Sequence, residues 1–268
     1  MKTYSIEDVV RALYLAVLGR EPDQLGFHSY VSLLVDRPER IYEVCTTFHR
    51  SAEHSERMLG GASIRDHSQY GEFRIILKHF VNIGARHRLI VDVGANGRER
   101  SNSFDLLKLF GWRGVLVEAN PAQWPLIEKE FEGLDYSLVR CAVSESEGIF
   151  PFFLGINSDV SSLGRDNAAA WGEIQGEIAV TVRRLGPILD EHAIPRDFDI
   201  LSLDIEGFDV VVLNDLISTS DYRPGLIIIE TSMNFAHNSL EDIPVCEQVR
   251  KDYHLAYQTA PNMILARS

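Results

Sequence analysis

The 268-residue chain is short of several things that would direct it elsewhere. It has three cysteines, Cys45, Cys141 and Cys246, far apart and odd in number. None forms a C-x-x-C pair, which argues against a disulfide framework and a structural zinc site. A reducing, cytoplasmic setting is the expectation. Basic residues are also scarce: 26 Lys and Arg face 39 Asp and Glu, a formal charge of -13. Such a surface repels nucleic-acid phosphates and anionic lipid, so no nucleic-acid partner is expected. Arg37 with Arg40 and Arg183 with Arg184 are local exceptions, and read first as solvated faces. Long apolar runs are missing, so no membrane span is expected. The opening Met1-Lys2-Thr3-Tyr4-Ser5 leads directly into a charged amphipathic segment and does not read as a signal peptide. Low-complexity tracts and internal repeats are absent as well.

What is present divides into two regions with different periods. In the first, Ile6, Val9, Val10, Leu13, Tyr14 and Val17 form one stripe of a helix. Ser5 with Asp8 starts it as a capping box, and Gly19 stops it. Pro22 opens a second helix that continues through Gly26 to Leu34. A third spans about 39–50, and Ser51 caps a short fourth. This predicts a helical module over 1–59. Gly60-Gly61-Ala62-Ser63 then begins a linker and lead-in helix over 60–87, with the helix at about 73–82.

From residue 88 to 268, strand-like and helical runs alternate. Strands are predicted at 89–93, 115–118, 137–143, 149–154 (an edge strand), 178–182, 199–205 and 226–230. Two further runs, 255–258 and 263–266, form a closing hairpin. Helices are expected at 103–110, 121–131, 187–192, 209–216 and 241–251. The alternation implies an α/β fold with a mostly parallel sheet covered on both faces.

In such sheets ligands bind beyond the carboxyl ends of the strands. After the first strand stands Asp92-Val93-Gly94-Ala95-Asn96-Gly97, whose glycines permit a tight turn and close approach to a ligand. A dinucleotide fingerprint would need glycine at 96 and glycine or alanine at 99. Asn96 and Glu99 occupy those positions. Glu118 ends the second strand, where a carboxylate accepts hydrogen bonds from both ribose hydroxyls. Asp92 suits the positive charges of S-adenosylmethionine better than a pyrophosphate, although a loop cap is its other reading. Small residues at Cys141-Ala142-Val143-Ser144 leave room for an adenine ring. Asp204 and Glu206, in Leu203-Asp204-Ile205-Glu206-Gly207, project from the fourth strand, and Glu230 ends the fifth. These three acids could hold a divalent cation, orient the cofactor or act as a base; helix N-terminal charge is the alternative.

Asp92–Gly97, Gly111-Trp112-Arg113-Gly114, Val117-Glu118-Ala119-Asn120-Pro121, Cys141–Ser144, Ser161-Ser162-Leu163 and Leu203–Gly207 resemble, in order and spacing, the FkbM family of S-adenosylmethionine-dependent methyltransferases. The resemblance runs from about 88 to 267 and includes Asn262. It implies a Rossmann-like seven-stranded fold with an antiparallel last strand. It also implies O-methylation of a sugar, glycan or other small-molecule hydroxyl. The cofactor contacts expected are Asp92, Gly94, Asn96, Glu118, Ala142, Val143 and Asp204. The catalytic candidates are Asp204, Glu206 and His237, the last in the loop Met233-Asn234-Phe235-Ala236-His237. A metal, if used, would fall to Asp204, Glu206 and Glu230. Acceptor contacts are expected from Asn157–Gly176 and Thr231–Leu240.

Leu13 to Asp23, with Gly26, Tyr30 and Ser51-Ala52-Glu53, resembles a short bacterial helical module attached to polysaccharide-related and secreted proteins. By analogy it points to a glycan-related substrate and offers a surface for a protein partner. A non-catalytic cofactor-binding protein and a NAD-linked oxidoreductase remain the competing readings. Calorimetry on the whole chain separates the last: S-adenosylmethionine or its demethylated product should bind and NAD should not. Tighter binding of NAD would sink the cofactor reading.

Overall fold

The structure is a computed structural model that describes residues 5–49, 51, 53–54, 66–156, 160–170, 172–231, 239–259 and 261–268. It forms two compact units, residues 1–65 and 66–268.

In the first unit, Ser5 caps α1 (Ile6–Leu13): its hydroxyl accepts from Asp8 N at 3.1 Å while Asp8 accepts from Ser5 N at 3.0 Å. One π turn follows over Tyr14–Leu18, and Gly19 ends it at φ 68°. Asp23, one residue beyond Pro22, caps α2 (Gln24–Asp36) by accepting from Gly26 N. A 3-10 turn (Pro38–Arg40) leads into α3 (Ile41–His49). Val10, Tyr14, Val17, Leu34, Val44 and Phe48 make the core. The motif residues of this module are spent on one another. The Tyr14 ring meets Phe48 edge-on at 4.8 Å. Arg20 lies over Tyr14 and bonds both carboxylate oxygens of Glu53. A Cβ at Gly26 would stand 2.2 Å from the Tyr14 hydroxyl.

The second unit opens on α4 (Glu72–Ile83) and continues through β1 (Leu89–Val93), α5 (Phe104–Phe110), β2 (Arg113–Val117), α6 (Trp124–Glu130) and β3 (Tyr136–Val139). Next come β4 (Ala142–Val143), β5 (Gly148–Leu154), α7 (Arg165–Ala169), β6 (Gly176–Arg183) and α8 (Leu185–Glu191). It closes with β7 (Ile200–Leu203), α9 (Asp209–Thr219), β8 (Leu226–Glu230), α10 (Glu247–Asp252), β9 (Tyr253–Gln258) and β10 (Asn262–Arg267). The main sheet has seven strands in the order β3-β2-β1-β7-β8-β10-β9, with β10 antiparallel to both neighbours. Its inner strands β1, β7 and β8 are apolar apart from Asp92, Ser202 and Glu230 and are buried on both faces, as a helix-covered parallel sheet requires. A second sheet, β4-β6-β5, stands apart with its own core of Ala142, Phe152, Val180 and Val182.

Three of the differences from the sequence reading have an identifiable physical reason. The predicted strand 137–143 is two strands in two sheets: Glu118 N still bonds Val139 O, but Ser144 N bonds Arg183 O. Alternation of apolar residues carries no information about which partner a strand pairs with. Helix α6 begins at Trp124 because Asn120 Oδ1 accepts from Ala122 N and closes an Asx turn first. The predicted helix 241–251 breaks into a 3-10 turn (Leu240–Asp242) and α10, with Pro244 between them. Arg40, Arg183 and Arg184 pair with Glu43, Glu191 and Asp215, so these cations are largely neutralised where they stand.

Asp199, buried at the start of β7, accepts from the backbone N–H groups of Arg86, His87 and Leu89 at 2.6, 2.9 and 3.1 Å. It thereby fixes where β1 enters the sheet. Removing it leaves three inward donors without a charged acceptor. Asp199→Ala should lower stability by about 3 kcal/mol, read as a lower urea midpoint at unchanged slope.

Candidate functional site

Gly94, Asp204 and Glu230 follow or end β1, β7 and β8, and Glu118 follows β2. Because β2, β1, β7 and β8 are consecutive in the sheet, these residues stand in a row along one edge. Three strand spacings of ~4.8 Å make that row about 14 Å long. A cavity of about 420 Å3 runs along it.

The glycine loop is set by backbone proximity. Gly94 N and Ala95 N both donate to Val117 O, at 2.9 and 3.1 Å, and Asp204 N donates to Val93 O at 3.0 Å. Gly94 has φ 90°, and a Cβ there would stand 1.9 Å from the Asp204 carbonyl oxygen. Gly97 is also left-handed, at φ 60°. Asp92 is buried beneath the loop and accepts from Ser103 Oγ at 2.6 Å and from Ser202, while lining the cavity floor. Burial holds its carboxyl above the ordinary range, against those two hydrogen bonds.

The cavity is graded. One end is apolar: Cys141, Ala142, Val143, Phe152, Val160 and Leu163 line it. Burial pushes the Cys141 thiol up to about 11, so it stays protonated and unreactive. Next along the row is Glu118, 8 % exposed, whose carboxylate accepts from Asn120 N at 2.6 Å. Burial pushes Glu118 up to about 8. The opposite end is charged. There the carboxylate oxygens of Asp204, Glu206 and Glu230 lie within 4.8 Å of one another. Asp204 is open to the cavity yet walled in by protein. That desolvation, followed by repulsion from Glu230, holds its carboxyl well above the usual range. Glu230 is raised by burial and shares a hydrogen bond with Asp204. Behind them Asp209 is pushed up to about 7 by burial and then by Glu230.

Glu206 sits at φ 51°, an uncommon conformation for a residue with a side chain. Two donors hold it there: Ser162 Oγ and Asn167 Nδ2 each reach its carbonyl oxygen at 2.9 Å. The Ser161-Ser162-Leu163 motif thus fastens the insertion containing β5 and α7 to the acid loop. Gly207 follows at φ 93°, where a Cβ would meet Asn167 Nδ2 at 2.3 Å.

Of the residues expected from the sequence, Asp92, Gly94, Asn96, Glu118, Ala142, Val143, Asp204, Glu206 and Glu230 all line this one cavity. His237 lies outside the described residues, as does most of Thr231–Leu240. The sequence reading missed Gln69, Tyr70, Arg100, Asn102 and Phe152, which line it too. Asn102 donates to Ser202 Oγ at 3.2 Å, and its Oδ1 is buried with no partner among the described residues. Gln69 and Tyr70 precede the lead-in helix, in a stretch with no glycine pattern or strand end to mark it.

Glu118 supplies a prediction independent of any ligand. An unfolded glutamate titrates near 4.5 and the folded one at about 8. Between those values the folded state holds the extra proton, so stability falls as pH rises. Glu118→Gln cannot ionise. The ligand-free Glu118→Gln protein should lose less stability than the parent between pH 5 and 8, measured by urea midpoints across that range.

The family model "Methyltransferase FkbM domain" matches residues 83–250, and a "Domain of unknown function (DUF4214)" matches residues 2–58. No curated protein matches the chain. Among solved structures, a mutant of MtNAS in complex with S-adenosylmethionine is similar at 12% identity and a TM-score of 0.38, covering 99% of each chain. The family match takes in more than half of the chain, together with the glycine loop, Glu118 and the Asp204–Glu206 loop, and the chain belongs to the FkbM methyltransferase family.

Proposed function

We propose that the chain transfers the methyl group of S-adenosylmethionine to a hydroxyl of a sugar or another small molecule. One observation carries this: the cavity passes from an apolar end, past the buried carboxyls of Glu118 and Asp92, to an acidic end, along about 14 Å of sheet edge. The cofactor has the same polarity profile, with a flat adenine, a ribose diol, and a sulfonium beside an amino-acid tail. Ala142, Val143 and Phe152 would hold the adenine. Glu118 would accept from the ribose hydroxyls. Gly94, Asn96, Asp92 and Asp204 would hold the sulfonium end. A dinucleotide is disfavoured because its pyrophosphate would face this row of acids.

The chemistry is an in-line displacement. The acceptor oxygen attacks the methyl carbon, the carbon–sulfur bond breaks, and its electron pair returns to sulfur as the thioether. The acceptor hydroxyl gives up its proton to a carboxylate at the acidic end. Alignment supplies most of the acceleration and the base contributes further. Glu206, whose loop is fixed by Ser162 and Asn167 beside the Asp204–Glu230 pair, is the acceptor of the substrate proton in this reading. Asp204, Glu206 and Glu230 are spaced to ligate one oxygen-preferring divalent cation, which would acidify the hydroxyl. The sugar class rests on the resemblance of the N-terminal module, which also supplies a surface for a partner protein. The expected compartment is the cytoplasm.

Transfer of labelled methyl from S-adenosylmethionine to a panel of sugars and small alcohols tests the reading. Cofactor binding with no transfer to any acceptor would favour a purely binding role. Glu206→Gln should lower turnover by about 10²-fold with cofactor affinity held within about twofold. A chelator that stops turnover without weakening cofactor binding would identify Asp204, Glu206 and Glu230 as cation ligands.

A further inference from the structure

The family match begins at residue 83, yet the charged end of the cavity is finished by residues before it. Residues 66–72 cross from one side of the sheet edge to the other and are fastened at both ends. At one end His67 bonds Asp105 of α5 twice, through its backbone N–H and its ring Nδ1, each at 2.8 Å. At the other, Glu72 is fully buried. Its Oε2 accepts from Tyr70 N at 2.8 Å, and its Oε1 accepts from Thr259 Oγ1 at 2.6 Å and Asn262 Nδ2 at 2.9 Å. Asn262 is paired in register with Glu230, so the strap is tied to the strand beside the acids.

This double fastening presents Tyr70 to the cavity. Its hydroxyl accepts from Gln69 Nε2 at 3.0 Å, which leaves the phenolic proton to be donated. Arg100, from the loop after Gly97, lines the same end and lies within electrostatic reach of Tyr70, as do Glu230 and Asp204. A phenol donor, a guanidinium and a pair of acids therefore line one cavity within electrostatic reach of one another. Asn102 Oδ1, buried with no partner among the described residues, adds an acceptor.

We infer that Tyr70 and Arg100 bind the carboxylate, and Asp204 with Glu230 the ammonium, of the cofactor's amino-acid tail, making residues 66–72 a working part of the site. The inference rests on the cofactor placement proposed above. A cation and a hydroxyl together with two acids complement a zwitterion. A ligand of a single charge would leave one set opposed. Among the described residues, Arg100 is the one Lys or Arg that lines the cavity.

The test is calorimetry on the full chain with two probes. S-adenosylhomocysteine keeps the zwitterion, and 5′-methylthioadenosine lacks it. The parent protein should bind the first at least tenfold tighter. Tyr70→Phe and Arg100→Gln should each weaken S-adenosylhomocysteine about tenfold or more and change 5′-methylthioadenosine by less than twofold. Tyr70 is partly exposed, so the phenylalanine variant retains its packing. If the parent binds S-adenosylhomocysteine and both variants match it, or if both probes weaken equally, the zwitterion assignment falls alone. If the parent binds neither probe, the cofactor reading falls with it.

Discussion

The structure depends on one close approach. Gly94 and the Asp204 carbonyl meet where β1 and β7 end, and a single methyl group at Gly94 would stand 1.9 Å from that oxygen. The contact continues the β1–β7 ladder by one bond, Asp204 N to Val93 O. It holds the glycine loop and the acid loop side by side, so that whatever lies over one also faces the other. Both are further shaped by left-handed residues, Gly94 and Gly97 on one side and Glu206 and Gly207 on the other.

Around that contact, polar groups that are expensive to bury are used to fix loops. Asp92 takes its bonds from Ser103 and Ser202 below the glycine loop. Ser162 and Asn167 hold the strained carbonyl of Glu206. Glu72, with no exposure at all, gathers the lead-in turn and the terminal hairpin through three donors. Each would cost about 1–3 kcal/mol if left unsatisfied, which makes these anchors as restrictive as packing. The result is a row of carboxyls, Asp92, Glu118, Asp204 and Glu230, raised by burial beside donors already in place. Preorganisation of that kind suits a reaction in which alignment matters more than acid–base strength.

The two units were legible to different depths. In the first, the apolar stripe from Ile6 to Val17 and the Ser5–Asp8 box announce α1, because capping and helical spacing are local. The meaning of Arg20, Gly26 and Glu53 was not legible: each is needed by Tyr14 or by the other, across up to 33 residues of chain. In the second, strand ends were readable to within two residues or so, and with them Gly94, Glu118, Asp204 and Glu230. Tyr70 and Arg100 were not, since one precedes the first strand and the other follows the loop.

The sequence by itself determined the alternation of strand and helix, the failure of the dinucleotide spacing at Asn96 and Glu99, and the ordered motifs that carry the family. All of these are written in short windows, where backbone preference and side-chain period act. Tertiary structure alone decided that strand 137–143 splits between two sheets, that Ser162 supports Glu206, and that a strap before the family domain completes the charged end. Those outcomes follow from partner choice between distant segments. A period-two pattern or a lone serine specifies that a partner is needed, and only the folded sheet specifies which one.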